Sequence, residues 1–273
     1  MGKRRTVFLI ERNGSMSTVL YTKKNNIAYV TINREESLNC FNYETLKCLQ
    51  EVTDEISIDP EVKVVIFTGA GNKAFSAGAD LKERKHLTEA EVRRNVKAIR
   101  DVFNGIASLP QPTIAAVNGY ALGGGFELMI ACDFPIAVED TQMGLTETSW
   151  AIIPGAGGTQ RLPRLVGEMK AKELIFTAKK FSAQEGLSMG VVLQVVKKEE
   201  LMSTCEQLAV DMMKNGPVAL KQAKYAITQG MNTDLQTGLA IEAKAYELTI
   251  PTTDRLEALQ AFSEKREPEY IGK

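Results

Sequence analysis

Apolar positions along the chain fall into two alternating periods. Residues 27–32 (IAYVTI) are β-branched and apolar and predict a strand. Residues 62–68 (VKVVIFT) and 113–117 (TIAAV) are near-continuous apolar runs, the pattern of a parallel strand buried on both faces. Residues 134–138 (FPIAV) predict another strand. Between these runs the period lengthens. Leu46, Leu49, Val52 and Ile56 recur at helical spacing after Asn42, a candidate cap for a helix from Tyr43 to the Asp59-Pro60 break. Residues 88–108 read as a long amphipathic helix that stops before Pro110, and 127–132 as a shorter one. Strand-then-helix repetition predicts an α/β class with crossover connections. After about Gly190 the strands cease. Segments 199–214, 217–229, 234–248 and 252–265 read as helices, punctuated by Gly216-Pro217 and Ile250-Pro251. The expected organisation is an N-terminal extension (1–15), an α/β core (16–209) and a helical region (210–273) that serves as a subdomain or an oligomerisation element.

Composition narrows the function classes. The 273 residues are 44% hydrophobic and 25% charged, enough for a sizeable core. Thirty-three basic and 34 acidic residues leave a net charge of −1, which gives no basis for broad electrostatic capture of nucleic acid or anionic membrane. The four cysteines (Cys40, Cys48, Cys132, Cys205) include no C-x-x-C pair and read as reduced thiols of a cytosol-like compartment. The single histidine, His86, completes no zinc cluster with them and reads as a surface residue; no metal site is expected. With no second histidine, a Ser-His-Asp hydrolase is also disfavoured. No apolar stretch reaches the roughly 20 residues of a membrane span. In the extension, Val7-Phe8-Leu9-Ile10 is too short for a secretory signal core, and its length and Glu11 speak against a mitochondrial presequence. Met16 is an alternative start.

Three loops carry candidate chemistry. Gly119-Tyr120-Ala121-Leu122-Gly123-Gly124-Gly125-Phe126-Glu127 follows the 113–117 strand. Glycine lets backbone approach a ligand, and a helix start offers unpaired N–H groups. The run is thus either an oxyanion site beside a carboxylate or a tight helix entry. Residues 73–81 (KAFSAGADL) follow the 62–68 strand in the same way. Loops at the carboxyl ends of strands build the sites of open α/β folds, so the two could aim two N–H groups at one carbonyl oxygen. The plain alternative is a tight turn. Glu147 lies 20 residues after Glu127. It is either an exposed loop carboxylate or the partner of Glu127 around a shared water, one as base and the other as acid. Gly155-Ala156-Gly157-Gly158 lacks G-x-G-x-x-G and a P-loop Lys-Ser/Thr, which argues against a redox nucleotide coenzyme.

The segments 75–80 (FSAGAD), 119–127 and 153–162 (IPGAGGTQRL) together resemble the three signature segments of the crotonase (enoyl-CoA hydratase/isomerase) superfamily, in order and at compatible spacing. The resemblance covers residues 18–273. It implies a ClpP-like ββα spiral core, a helical C-terminal trimerisation region and a trimer or dimer-of-trimers hexamer. It implies an acyl-CoA thioester substrate and no cofactor beyond that CoA. The N–H groups of Ala79 and Gly124 would form the oxyanion hole. Glu127 and Glu147 fall on the acid/base positions. Ala77, Ala79, Asp80, Leu81 and Lys82 would line the thioester and CoA channel with Gly124, and Ser37 and Leu38 match a CoA-contacting loop.

Both glutamates are present, which within the superfamily implies hydration of a trans-2-enoyl-CoA rather than isomerisation. Segments 171–176, 216–219, 237–242 and 251–257 resemble the AU-specific RNA-binding hydratase subgroup, whose members hydrate 3-methylglutaconyl-CoA. The expected substrate is a short straight-chain enoyl-CoA, with 3-methylglutaconyl-CoA as the alternative. The latter's distal carboxylate would need a cation, for which Lys82, Arg84 and Lys85 are candidates. RNA binding is not expected. The early helix keeps Lys47, but Glu51, Asp54, Glu55 and Ser57 dilute it, and Arg93, Arg94, Lys97 and Arg100 read as a solvated helix face. The expected location is the cytoplasm, or the mitochondrial matrix in a eukaryote.

Overall fold

Three of the buried strands, at 64–69, 113–117 and 134–138, each hand over to a short strand in a second sheet before the next helix begins. The computed structural model describes residues 6–8 and 17–273; most of the expected extension, Met16 included, lies outside the described residues. In chain order the strands are β1 (Thr6–Phe8), β2 (Val19–Lys24), β3 (Ile27–Ile32), β4 (Val64–Gly69), β5 (Ala74–Ser76), β6 (Thr113–Val117), β7 (Tyr120–Leu122), β8 (Phe134–Val138), β9 (Gln142–Gly144), β10 (Phe181–Ser182) and β11 (Gln194–Val196). The helices are α1 (Tyr43–Ile58), α2 (Leu81–Arg84), α3 (Glu89–Ala107), α4 (Gly124–Met129), α5 (Gly158–Val166), α6 (Glu168–Phe176), α7 (Ala183–Ser188), α8 (Leu201–Met213), α9 (Pro217–Gly230), α10 (Leu235–Glu247) and α11 (Thr253–Glu264).

The larger sheet has the order β1-β2-β3-β4-β6-β8-β11. β1, β2 and β3 pair antiparallel, and the pairs from β3 to β11 are parallel. The smaller sheet runs β10-β9-β7-β5, parallel except for β10. Two turns of a ββα spiral are explicit in this order: β4-β5 followed by α2 and α3, and β6-β7 followed by α4. Ile66, Phe67, Ile114, Ala115, Ile136 and Ala137 are fully buried, as near-continuous apolar strands require.

The expected cap at Asn42 holds. Asn42 Oδ1 accepts from Thr45 N at 2.9 Å to open α1. Thr88 and Glu91 form a capping box that opens α3. The helix expected at 127–132 instead starts three residues earlier, within the glycine run. The reason is close approach: a Cβ on Gly125 would lie 1.9 Å from Ser76 O, so α4 packs its backbone onto the end of β5.

The chain divides into two units. The first comprises residues up to 205 except 110–112; the second comprises 110–112 and 206–273. In the second unit α9 and α10 meet closely at Gly230 and Gly238, and buried Asp254 accepts from Ile271 N and Gly272 N at 2.8 Å each. Among the described residues no helix is long and apolar enough to cross a membrane.

Candidate functional site

Two backbone loops converge where β5 and β7 end. The loop 76–80 is stitched to 37–41 by four bonds: Ala77 N to Leu38 O at 3.0 Å, Ser76 Oγ to Asn39 O at 2.8 Å, Phe41 N to Gly78 O at 2.8 Å and Asp80 N to Phe41 O at 3.0 Å. Ser37, Leu38 and the 77–80 loop are thereby brought together. Gly78 adopts φ +94, and a Cβ there would lie 2.8 Å from Leu122 O and 3.0 Å from Gly124 N. Only glycine permits that approach. A Cβ on Gly124 would in turn lie 3.7 Å from Ala79 N. The two N–H groups expected to act together thus lie side by side. Gly124 is the first residue of α4, so its N–H has no partner within the helix.

Glu127 sits one turn further along α4 and is 3% exposed. Its Oε1 accepts from Ala156 N and Gly158 N, both at 2.8 Å. Burial raises its pKa, opposed by these two N–H groups and by the positive charge of Arg161. Glu147 opens a single 3-10 turn (Glu147–Trp150) after β9. Its Oε1 lies 3.3 Å from where a Cβ of Gly123 would be, which places it over the start of α4. Its Oε2 is buried and, among the described residues, has no hydrogen-bond partner. Burial first, and the charge of Glu127 second, push Glu147 up to about 7. The two carboxylates therefore face one another electrostatically but in unequal surroundings, one held by two N–H donors and the other left with an orphan oxygen.

Beside this centre a cleft is lined by Phe41, Ala79, Arg84, Leu87, Val96 and Ile99, among others. Ile99 of α3 closes over Gly124, 3.1 Å from where its Cβ would be. Asp80 borders the cleft too, yet its carboxylate is occupied: it accepts from Lys82 N and Glu83 N at the start of α2 and pairs with Arg34 at 2.9 Å. Burial would raise its pKa, but those N–H groups and Arg34 outweigh burial and hold it low. Leu81 and Lys82 are exposed, as are Lys85 and His86.

The partners of Glu127 were not legible as such. Ala156 and Gly158 stand in a motif, but their contact with Glu127 spans about 30 positions of sequence. The one signal was the Gly157-Gly158 pair at a helix start. Among the described residues, no group of three or more His, Cys, Asp or Glu could hold a metal ion.

Residues 22–273 match the family described as enoyl-CoA hydratase/isomerase. The chain is 47% identical over 250 residues to mouse methylglutaconyl-CoA hydratase, mitochondrial, covering 90% of this chain and 80% of the relative. It is 45% identical over 254 residues to the short-chain-enoyl-CoA hydratase of Clostridium acetobutylicum, covering 93% and 97%. A crystal structure of an enoyl-CoA hydratase from Bacillus anthracis superposes with a TM-score of 0.92 at 49% identity, over 94% of this chain and 100% of that one.

Proposed function

The chain belongs to the enoyl-CoA hydratase/isomerase family, whose substrates are acyl-CoA thioesters, and from that premise we propose that it reversibly adds water across the α,β double bond of a short-chain trans-2-enoyl-CoA. The observation that carries the reading is the unequal pair of glutamates, Glu127 buried and Glu147 half-buried, next to two adjoining backbone N–H groups. Burial raises both carboxyls, but in Glu127 two N–H donors and the Arg161 charge oppose the rise, whereas Glu147 has an orphan oxygen and the Glu127 charge against it, so of the two Glu147 is the better suited to hold a proton. Glu127 is accordingly the base and Glu147 the acid.

In the hydration direction Glu127 takes a proton from water as the oxygen bonds to Cβ. The π electrons move towards the thioester, whose enolate oxygen accepts from Ala79 N and Gly124 N. Glu147 delivers its proton to Cα. The sum is addition of one water. Glu127 ends protonated and Glu147 ionised, so a proton returns from one to the other before the next turnover. No cofactor beyond the CoA of the substrate is required. In Glu127→Gln and Glu147→Gln, kcat for crotonyl-CoA is expected to fall at least 100-fold each, with acyl-CoA binding largely kept. Near-normal turnover in either variant overturns the mechanism.

A second reading, hydration of 3-methylglutaconyl-CoA, is favoured by one observation. Arg84 lines the cleft beside Ala79 and Ile99, where it is the one cation a distal carboxylate could meet among the described lining residues, with Glu83 beside it; Lys82 and Lys85 do not line that cleft. Comparing kcat/KM for crotonyl- and 3-methylglutaconyl-CoA in the same assays decides between them. RNA binding gains no support: the exposed positions of α1 include Glu44, Glu51, Asp54 and Glu55 against Lys47. Arg93 and Lys97 pair with Glu89 and Asp101 on their own helix.

A further inference from the structure

Arg161 is a half-buried guanidinium that, among the described residues, touches no carboxylate. Burying a cation is costly unless hydrogen bonds and charge compensate it. Its hydrogen bonds go to two neutral oxygens: Nη1 donates to Ala156 O at 3.0 Å and Nη2 to Asn104 Oδ1 of α3 at 2.8 Å. Its fork is pressed onto the loop ahead of α5. Gly157 adopts φ +108, and a Cβ there would lie 1.9 Å from Nη1. Ala156 therefore faces two ways. Its C=O receives Arg161, and its N–H is given to Glu127.

We infer that Arg161 is a positioning residue for the base: its guanidinium locks the 156–158 loop whose amides hold Glu127, and places a positive charge one peptide away from that carboxylate. This rests on the assignment of Glu127 as base. The indirect arrangement has a chemical logic. A direct Arg–carboxylate pair would be bidentate and would occupy both oxygens. Acting through a peptide, the cation favours the ionised form and leaves Oε2 outside the clamp.

The charged and titratable groups that bear on this arrangement are Glu147 from the 3-10 turn, Arg161 from α5 and Cys132 just past α4. Burial raises Glu127 and the Arg161 charge opposes the rise. With the cation gone, Glu127 keeps its proton to higher pH. Since a base works only when ionised, the acid limb of the kcat profile should move upward.

The test is the pH dependence of kcat and KM with crotonyl-CoA for Arg161→Met, Arg161→Gln, Arg161→Lys and Asn104→Ala, with Glu127→Gln and Glu147→Gln alongside. In Arg161→Met and Arg161→Gln, kcat is expected to fall about 10- to 100-fold with KM within about 3-fold, and the acid limb to rise by about one pH unit. Arg161→Lys restores the limb but only part of kcat, because a lysine supplies charge without the planar fork. Asn104→Ala, which frees one end of the guanidinium, moves the limb in the same direction by a smaller step. Loss of activity with an unmoved acid limb in the neutral variants overturns the inference in favour of a purely structural arginine. Should neither neutral variant fold, an unmoved limb in Asn104→Ala overturns it. Turnover retained by Glu127→Gln is a failure of the hydratase mechanism itself. Inactive glutamate variants combined with unmoved limbs in the arginine set defeat this inference alone.

Discussion

Glu147 places an energetic burden on the fold whose sign can be worked out. Its folded value is about 7 against 4.5 in the unfolded chain. The folded state therefore holds this proton more tightly than the unfolded state. The contribution to stability is complete below 4.5 and is lost as pH rises through 7. With partial solvent screening the loss amounts to about 1–3 kcal/mol. Glu147→Gln removes both the titration and the repulsion with Glu127. It should be more stable than the parent at pH 8, by a rise in Tm of a few degrees, and no more stable at pH 4.5, while being inactive. A variant less stable at pH 8 would show that the carboxylate is held by contacts that offset its desolvation. The expectation of added stability with lost activity is the usual trade at a site built for chemistry.

At the scale of elements, one asparagine clamps the two strands that feed the site. Asn118 Nδ2 donates to Gly69 O and Gly71 O at 2.8 Å each, and its Oδ1 accepts from Gly69 N at 3.2 Å. It thereby fixes the end of β6 to the turn after β4, which leads through β5 to the 76–80 loop. Asn118→Ala leaves buried backbone groups without partners and should cost about 2–4 kcal/mol, read from the urea midpoint. This clamp was invisible in the sequence, because Asn118 reads there as one more turn residue. What was legible had a local cause. β6 and β8 match the apolar runs 113–117 and 134–138 residue for residue, since buried parallel strands need no partner to announce them. α3 lies within its expected 88–108 segment, for the capping box is a local signal. β5, β7, β9 and β10 span two or three residues each, too few to show a period. α5 carries Gly158 and Pro163, so its intrinsic propensity speaks against a helix that tertiary packing nevertheless forms. The glutamates and the two glycine-rich loops could be singled out by type and spacing. The hand that holds Glu127 could not, because it closes only when distant segments fold together.

Across the whole molecule, the surface of the second unit is out of keeping with solvent. Leu235, Tyr246, Leu256, Leu259 and Phe262 are each more than half exposed, Phe262 at 85%. Single exposed apolar residues are ordinary, but this many within about 30 residues of α10 and α11 make a surface that a partner copy would cover. We propose that assembly into a trimer, or a dimer of trimers, which the family resemblance implies, covers this surface with further copies of the chain. Sedimentation of the full chain at micromolar concentration should therefore give a trimer or hexamer. Leu259→Glu combined with Phe262→Glu should shift it to smaller species by setting like charges at a contact that needs to be dry. Both side chains point outwards in the single chain, so the variant's helical circular dichroism should be unchanged. A parent chain that sediments as a monomer contradicts the assembly. A double variant that keeps the parent's mass places the contact elsewhere on the molecule, for which Trp150, Met169 and Phe176 of the first unit, exposed by 62%, 86% and 72%, are the next positions to charge.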